Sequence, residues 1–151
     1  MASSAPSSSA VKAHILLVDD NKGGLVARRS VLEELGFRVT TALEPREALK
    51  HFQREKVDLV VTDYRMPGMS GEEFIAKLRE CQPAIPVVLI SGFVEPLGLN
   101  EESTGADIVI QKSANEVSQL IRAVNRLLRR VPAKKPPLTQ PAAKKSRERA
   151  G

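Results

Sequence analysis

An α/β domain with a parallel sheet covered by helices on both faces is the fold that the sequence predicts, and three observations predict it. Strand and helix patterns alternate from residue 14 to residue 130, the order that a parallel sheet with crossover helices requires. The runs "LLV", "LVV" and "VVLI" are apolar without alternation, as strands buried on both sides must be. The first and last helical stretches each carry an apolar stripe, as helices packed on a sheet do. Right-handed crossovers then give a doubly wound, three-layer domain.

Each element has a local reason. "HILLV" at 14–18 is a short apolar run and the first strand. "GLVARRSVLEELG" at 24–36 places Leu25, Val31, Leu32 and Leu35 on one side and stops at Gly36, which makes an amphipathic helix. "FRVTTA" at 37–42 alternates as a strand does. "EPREALKHFQRE" at 44–55 is helical, with Pro45 in the first turn, where its missing N–H is tolerated. "VDLVVT" at 57–62, "IPVVLIS" at 85–91 and "ADIVIQ" at 106–111 are the remaining strands. "GEEFIAKLRECQ" at 71–82 is a helix whose leading acids suit its positive end. "NEVSQLIRAVNRLLRR" at 115–130 is a long helix with Val117, Leu120, Ile121, Val124, Leu127 and Leu128 on one stripe. Between the fourth and fifth strands, "GFVEPLGLNEESTG" at 92–105 has room for a helix. Pro96 and Gly98 both oppose one, so a short or irregular helix is expected there.

Composition bounds the rest. The chain of 151 residues is 42% hydrophobic and 27% charged, enough apolar material for one folded core with some excess. No apolar run approaches the ~18 residues of a membrane span, and "MASSAPSSSA" lacks the features of a secretory signal. Residues 1–12 are expected to form a flexible lead-in. The single cysteine, Cys81, cannot form an internal disulfide, which fits a reducing, cytoplasmic setting. Residues 131–151 contain six Lys or Arg against one Glu and so carry the whole net charge of +5, while the rest balances 17 basic against 17 acidic residues. This Pro- and Ala-rich segment is expected to be a disordered, solvated basic tail. Nucleic acid is not an expected partner beyond weak contact with that tail.

Polar residues stand directly behind the apolar runs. The first strand ends in Asp19-Asp20, the third in Asp63, the fourth in Ser91 and the fifth in Lys112. Ligands of open parallel sheets sit at the carboxyl ends of the strands, so these side chains are expected to converge on one edge. Taken singly, Asp19-Asp20 reads as a helix cap, Asp63 and Ser91-Gly92 as turn residues and Lys112 as a surface charge. Their joint placement points elsewhere. Clustered carboxylates repel unless a cation intervenes. An all-oxygen set suits a hard divalent ion such as Mg²⁺, and a carboxylate beside it can attack phosphorus. The metal and an ammonium then neutralise the oxygens of the transferring group. His14 and His51 lack metal-ligand spacing and read as structural or surface residues. Met66 and Met69 flank the "MPG" turn and read as packing residues.

The stretches "ILLVDDN", "DLVVTDYRMPGMSG", "PVVLISG" and "GADIVIQKS", in this order and spacing, resemble the receiver domain of two-component response regulators. The resemblance covers residues 13–130 and implies a flavodoxin-like sandwich with sheet order 2-1-3-4-5. It implies that Asp63 accepts a phosphoryl group from a phosphohistidine on a sensor histidine kinase or a histidine phosphotransfer protein. It further implies that Asp20 binds Mg²⁺ directly, Asp19 mostly through water, and that Asp63 and the Arg65 backbone carbonyl complete the protein ligands. Ser91 is implied to bond the phosphate, Lys112 to pair with its oxygens, and Arg65 and Phe93 to tune dephosphorylation.

The sequence departs from the family pattern twice. Ser113 follows Lys112 where the family usually has a cis proline, and a cis bond without proline costs ~2.5–4 kcal/mol. Val109 stands where the family usually has an inward-turning aromatic. On this reading the chain is a single-domain phosphoacceptor, not an enzyme of substrate turnover, that signals through contacts with a downstream protein, with no membrane insertion. The alternative is a pseudo-receiver, a binding module that takes no phosphate. A phosphatase with an aspartyl nucleophile would want an acid two residues after Asp63, where Arg65 stands.

Overall fold

The computed structural model describes residues 12–92 and 97–130. Five parallel strands form one sheet: β1 (His14–Val18), β2 (Arg38–Ala42), β3 (Leu59–Asp63), β4 (Val87–Ser91) and β5 (Ile108–Gln111). Their order is β2-β1-β3-β4-β5, the expected doubly wound, flavodoxin-like arrangement. Among the described residues the helices are α1 (Lys22–Glu34), α2 (Pro45–Arg54), α3 (Gly71–Cys81), α4 (Glu101–Thr104) and α5 (Glu116–Arg130). Apart from Lys12, the lead-in and the basic tail expected over residues 1–12 and 131–151 lie outside the described residues, as does Phe93.

The two-residue period of a strand sorts the core into two halves. Leu16, Val18, Val60 and Leu89 face one way and pack with Ala48 and Phe52 of α2 and with Phe74, Ile75 and Leu78 of α3. Ile15, Leu17, Val61, Val88 and Ile90 face the other way, against Leu25 and Leu32 of α1 and Leu120, Val124 and Leu127 of α5. Every residue of β1, β3 and β4 is buried, which is why their runs do not alternate. Strand β2 lies at the sheet edge with Arg38 exposed and Ala42 buried.

Boundaries follow hydrogen bonding. Pro86 offers only its carbonyl, which accepts from Val60 N at 3.0 Å, and β4 begins at the next residue. Helix α1 starts two residues before the expected Gly24, because the Asn21 side chain caps it by accepting from Gly24 N at 2.8 Å. Helix α3 opens with a reciprocal capping box between Ser70 and Glu73. The expected helix between β4 and β5 is, within the described residues, the four-residue α4 capped by Asn100.

Two stripe assignments are corrected. Leu35 is 46% exposed, because it caps the end of α1 and lies beyond the face that meets the sheet. Val117 is 43% exposed, because the buried line of α5 runs through Leu120, Ala123, Val124 and Leu127. His14 is structural, as expected: its Nδ1 lies 2.8 Å from the Lys56 carbonyl and its Nε2 2.7 Å from Thr40 Oγ1. His51 lies beside Glu55 at 3.0 Å. Met66 and Met69 are partly buried against the first core half, and Cys81 is exposed at the end of α3. Among the described residues no helix is long and apolar enough to cross a membrane.

Phe74 is fully buried between α3 and the sheet. Phe74→Ala is expected to lower unfolding free energy by about 3–5 kcal/mol in urea titration. A loss under about 1 kcal/mol would mean that this half of the core is not tightly packed.

Candidate functional site

Parallel pairing brings the strand ends together. Val18 pairs with Thr62, so the residues that follow, Asp19 and Asp63, are neighbours at the carboxyl edge. Asp63 in turn pairs with Ile90, and Ser91 with Gln111, the residue before Lys112. The expected convergence is therefore present. One carboxylate oxygen from each of Asp19, Asp20 and Asp63 lies within 4.8 Å of the others. Lys112 Nζ stands 3.4 Å from Asp63 Oδ2. Ser91 is buried beside them, and its carbonyl accepts from Lys112 N at 2.9 Å.

The three acids differ in setting. Asp20 is exposed and, with Tyr64, Arg65, Met69 and Glu73, lines an open hollow of about 530 Å³. Asp63 is nearly buried, and its Oδ1 accepts from Tyr64 N at 2.8 Å. Burial and the Asp19 charge push its carboxyl above the ordinary value, against the pull of Lys112 and the Tyr64 N–H. Asp19 is almost wholly buried, and burial alone would push it up as well. The Asn21 N–H at 2.9 Å and the Arg28 guanidinium at 2.5 Å more than offset that and hold it below the ordinary value.

Tyr64 fixes the turn after Asp63. Its N–H also reaches the Ile90 carbonyl at 3.2 Å, its own carbonyl accepts from Gly71 N at 2.8 Å, and its hydroxyl donates to Glu72 at 3.0 Å. Gly71 is needed for this closure: a Cβ there would lie 3.0 Å from Tyr64 Cα and 3.1 Å from Leu89 Cδ1.

Arg28 was not among the residues that the strand ends pointed to. It is buried on α1 between Leu25 and Leu32 and pairs with both Asp19 and Glu116. Deleting one partner of such a buried pair costs about 3–5 kcal/mol. The local signal was an arginine at an apolar stripe position, three residues after Leu25 and four before Leu32. No described peptide bond is cis, so Lys112–Ser113 is trans. Val109 is partly buried against the first core half.

This fold and this acidic edge agree with the comparison of the sequence with protein families: residues 15–125 match the response regulator receiver domain. The chain belongs to that family. The transcriptional regulatory protein GlrR of Escherichia coli is 42% identical over 79 residues, which are 52% of this chain and 18% of that protein. The alkaline phosphatase synthesis transcriptional regulatory protein PhoP of Bacillus subtilis is 34% identical over 118 residues, 74% of this chain and 48% of that one. The chain spans less than half the length of either regulator. The response regulator TrrA of Thermotoga maritima, solved in complex with Mg²⁺–BeF, superposes with a TM-score of 0.69 at 31% identity, over 76% of this chain and 98% of that one.

Receiver domains are signalling domains that bind Mg²⁺ at an acidic pocket, are phosphorylated on aspartate and interact with histidine kinases or phosphotransfer proteins. The donor set of this chain fits such an ion. It is all oxygen, drawn from three carboxylates of which one faces solvent, and Mg²⁺ binds through few carboxylates while keeping water.

The opposed charges set the sign of two measurements on metal-free protein. Lys112→Met is expected to raise the pKa of Asp63 and Asp19→Asn to lower it, read from carboxyl ¹³C shifts against pH. Because the folded-state value of Asp63 lies above its unfolded value, its contribution to stability is present below the unfolded value and is lost as pH rises through the folded one. Asp63→Asn is therefore expected to raise the unfolding midpoint at neutral pH and to lose that advantage in acid. A midpoint lowered at neutral pH would contradict the charge balance described.

Proposed function

We propose that Asp63 accepts a phosphoryl group from a phosphohistidine donor in a Mg²⁺-dependent reaction, and that the phosphorylated domain signals through contacts with a downstream protein. The observation that carries this reading is the meeting of three carboxylates within 4.8 Å with Lys112 Nζ 3.4 Å from Asp63. Asp19, Asp20 and Asp63, with the Arg65 backbone carbonyl, would hold Mg²⁺, which supplies positive charge to the oxygens of the transferring group.

The residues of the chain have distinct parts in the transfer. An Asp63 oxygen forms the new bond to phosphorus as the donor P–N bond breaks, and the departing imidazole keeps the electron pair and takes a proton from solvent. The Tyr64 N–H holds the other side of the carboxylate and limits its rotation. Lys112, whose Nζ lies 3.4 Å from Asp63 Oδ2, would pair with the phosphoryl oxygens as charge gathers on them. Ser91 donates to a phosphate oxygen in the product. Arg65 lines the open hollow beside Asp20, which suits a part for Arg65 in tuning hydrolysis.

The change of charge is the signal. Phosphorylation adds about 1.5–2 negative charges beside a cluster that is already acidic, and a two-state surface must respond to it. Val109 excludes the usual aromatic relay from that response. A cytoplasmic setting suits a phosphohistidine donor and the lone Cys81.

Incubation with Mg²⁺ and acetyl phosphate tests the reading by intact mass. One added phosphoryl group is expected on the wild type, with none in chelator and none on Asp63→Asn. A wild type left unmodified by acetyl phosphate and by histidine kinases would reduce the domain to a binding module.

A further inference from the structure

Helix α1 carries an arginine where its packing calls for an apolar side chain. Leu25, Arg28 and Leu32 share the buried side, and Arg28 is only 7% exposed. A guanidinium in such a place needs anionic partners. It has two, from separate parts of the fold. Nη1 donates to Asp19 Oδ2 at 2.5 Å, and Nε donates to Glu116 Oε2 at 2.6 Å. Asp19 belongs to the acidic pocket, and Glu116 is the first residue of α5.

The surroundings keep room for this bridge. A Cβ on Gly24, one turn earlier, would lie 3.2 Å from Asp19 Oδ2 and 3.3 Å from Arg28 Nη1. The other oxygen of Asp19 accepts from Asn21 N at 2.9 Å, so both are engaged and a cation must share one of them. At the far end, Glu116 N donates to the Ser113 carbonyl at 3.1 Å, and only residues 113–115 separate Glu116 from Lys112.

We propose that Arg28 is a positioning residue of the acidic pocket, and that the Asp19–Arg28–Glu116 bridge carries the pocket's occupancy by a divalent cation to the start of α5. The proposal rests on the Mg²⁺-binding reading above. Positive charge arriving beside Asp19 competes with the guanidinium for one carboxylate and repels it. The Arg28 charge is then drawn toward Glu116, and the first turn of α5 with the lysine loop takes up the change. By reciprocity, whatever the cation does to the bridge, the bridge does to cation affinity. This route does not pass through residue 109, where Val109 has replaced the aromatic.

Amide NMR of the full chain during a Mg²⁺ titration tests it, on wild type, Glu116→Gln and Arg28→Lys. In wild type, the amides of Asp20 and Tyr64 and those of residues 117–120 are expected to move on one saturation curve. In Glu116→Gln the pocket amides still move, the movement at 117–120 is lost, and Mg²⁺ binds about fivefold more weakly, because Arg28 bears undivided on Asp19. Arg28→Lys keeps the charge without the planar fork that serves two carboxylates, so the α5 response falls while the pocket response persists. Movement at 117–120 undiminished in Glu116→Gln, or absent in wild type while the pocket saturates, overturns the bridge and leaves the Mg²⁺ reading standing. Pocket amides that stay still overturn both. Hydrogen exchange on wild type alone needs no substitution: Mg²⁺ is expected to change protection at residues 116–120, and unchanged protection there sinks the proposal.

Discussion

Two carboxylates at the ends of adjacent parallel strands repel each other, and the carboxyl edge of this sheet is arranged around that repulsion. At 4.8 Å or less between oxygens, two full charges in a medium of effective dielectric ~20 repel by about 3–4 kcal/mol. The chain divides its positive charge unequally between them. Asp19 receives the Arg28 guanidinium and the Asn21 N–H and stays ionised. Asp63 receives the Tyr64 N–H and a more distant lysine, and its ionisation is held back. One acid is thus an anchored charge. The other is left short of counter-charge, which a cation bound beside it would supply.

The parts of this design that depend on local pattern are legible in the sequence. A strand buried on both faces must be apolar throughout, so β1, β3 and β4 stand out, and the residues that end them are known with them. That is why Asp19, Asp20, Asp63 and Ser91 could be placed on one edge from spacing alone. Pairings between distant residues leave no such trace. Arg28 and Glu116 are 88 positions apart, and nothing near either one names the other. Helix ends mislead for a related reason: Leu35 and Val117 continue the apolar spacing past the point where the helix still faces the sheet.

The two departures from the family pattern affect less than their positions suggest. The lysine is placed by strand pairing, since Ser91 pairs with Gln111 and the Ser91 carbonyl takes the Lys112 N–H. A trans bond to Ser113 leaves its ammonium beside Asp63. Val109 fills its place as a packing residue and its N–H is held by Glu101 at 3.1 Å, so β5 and α4 are tied at the surface by a bond that the aromatic is not needed to make.

The short bond from Gly71 to the Tyr64 carbonyl closes residues 65–70 into a loop with a fixed neck. Asp63 lies on one side of that neck and "RMPGMS" on the other. Changes within the loop can alter what lines the open hollow beside Asp20 while the Asp63 carboxylate keeps its aim. Access to the hollow and the aim of the Asp63 carboxylate are thereby set by different residues, the loop 65–70 for the first and Tyr64 for the second.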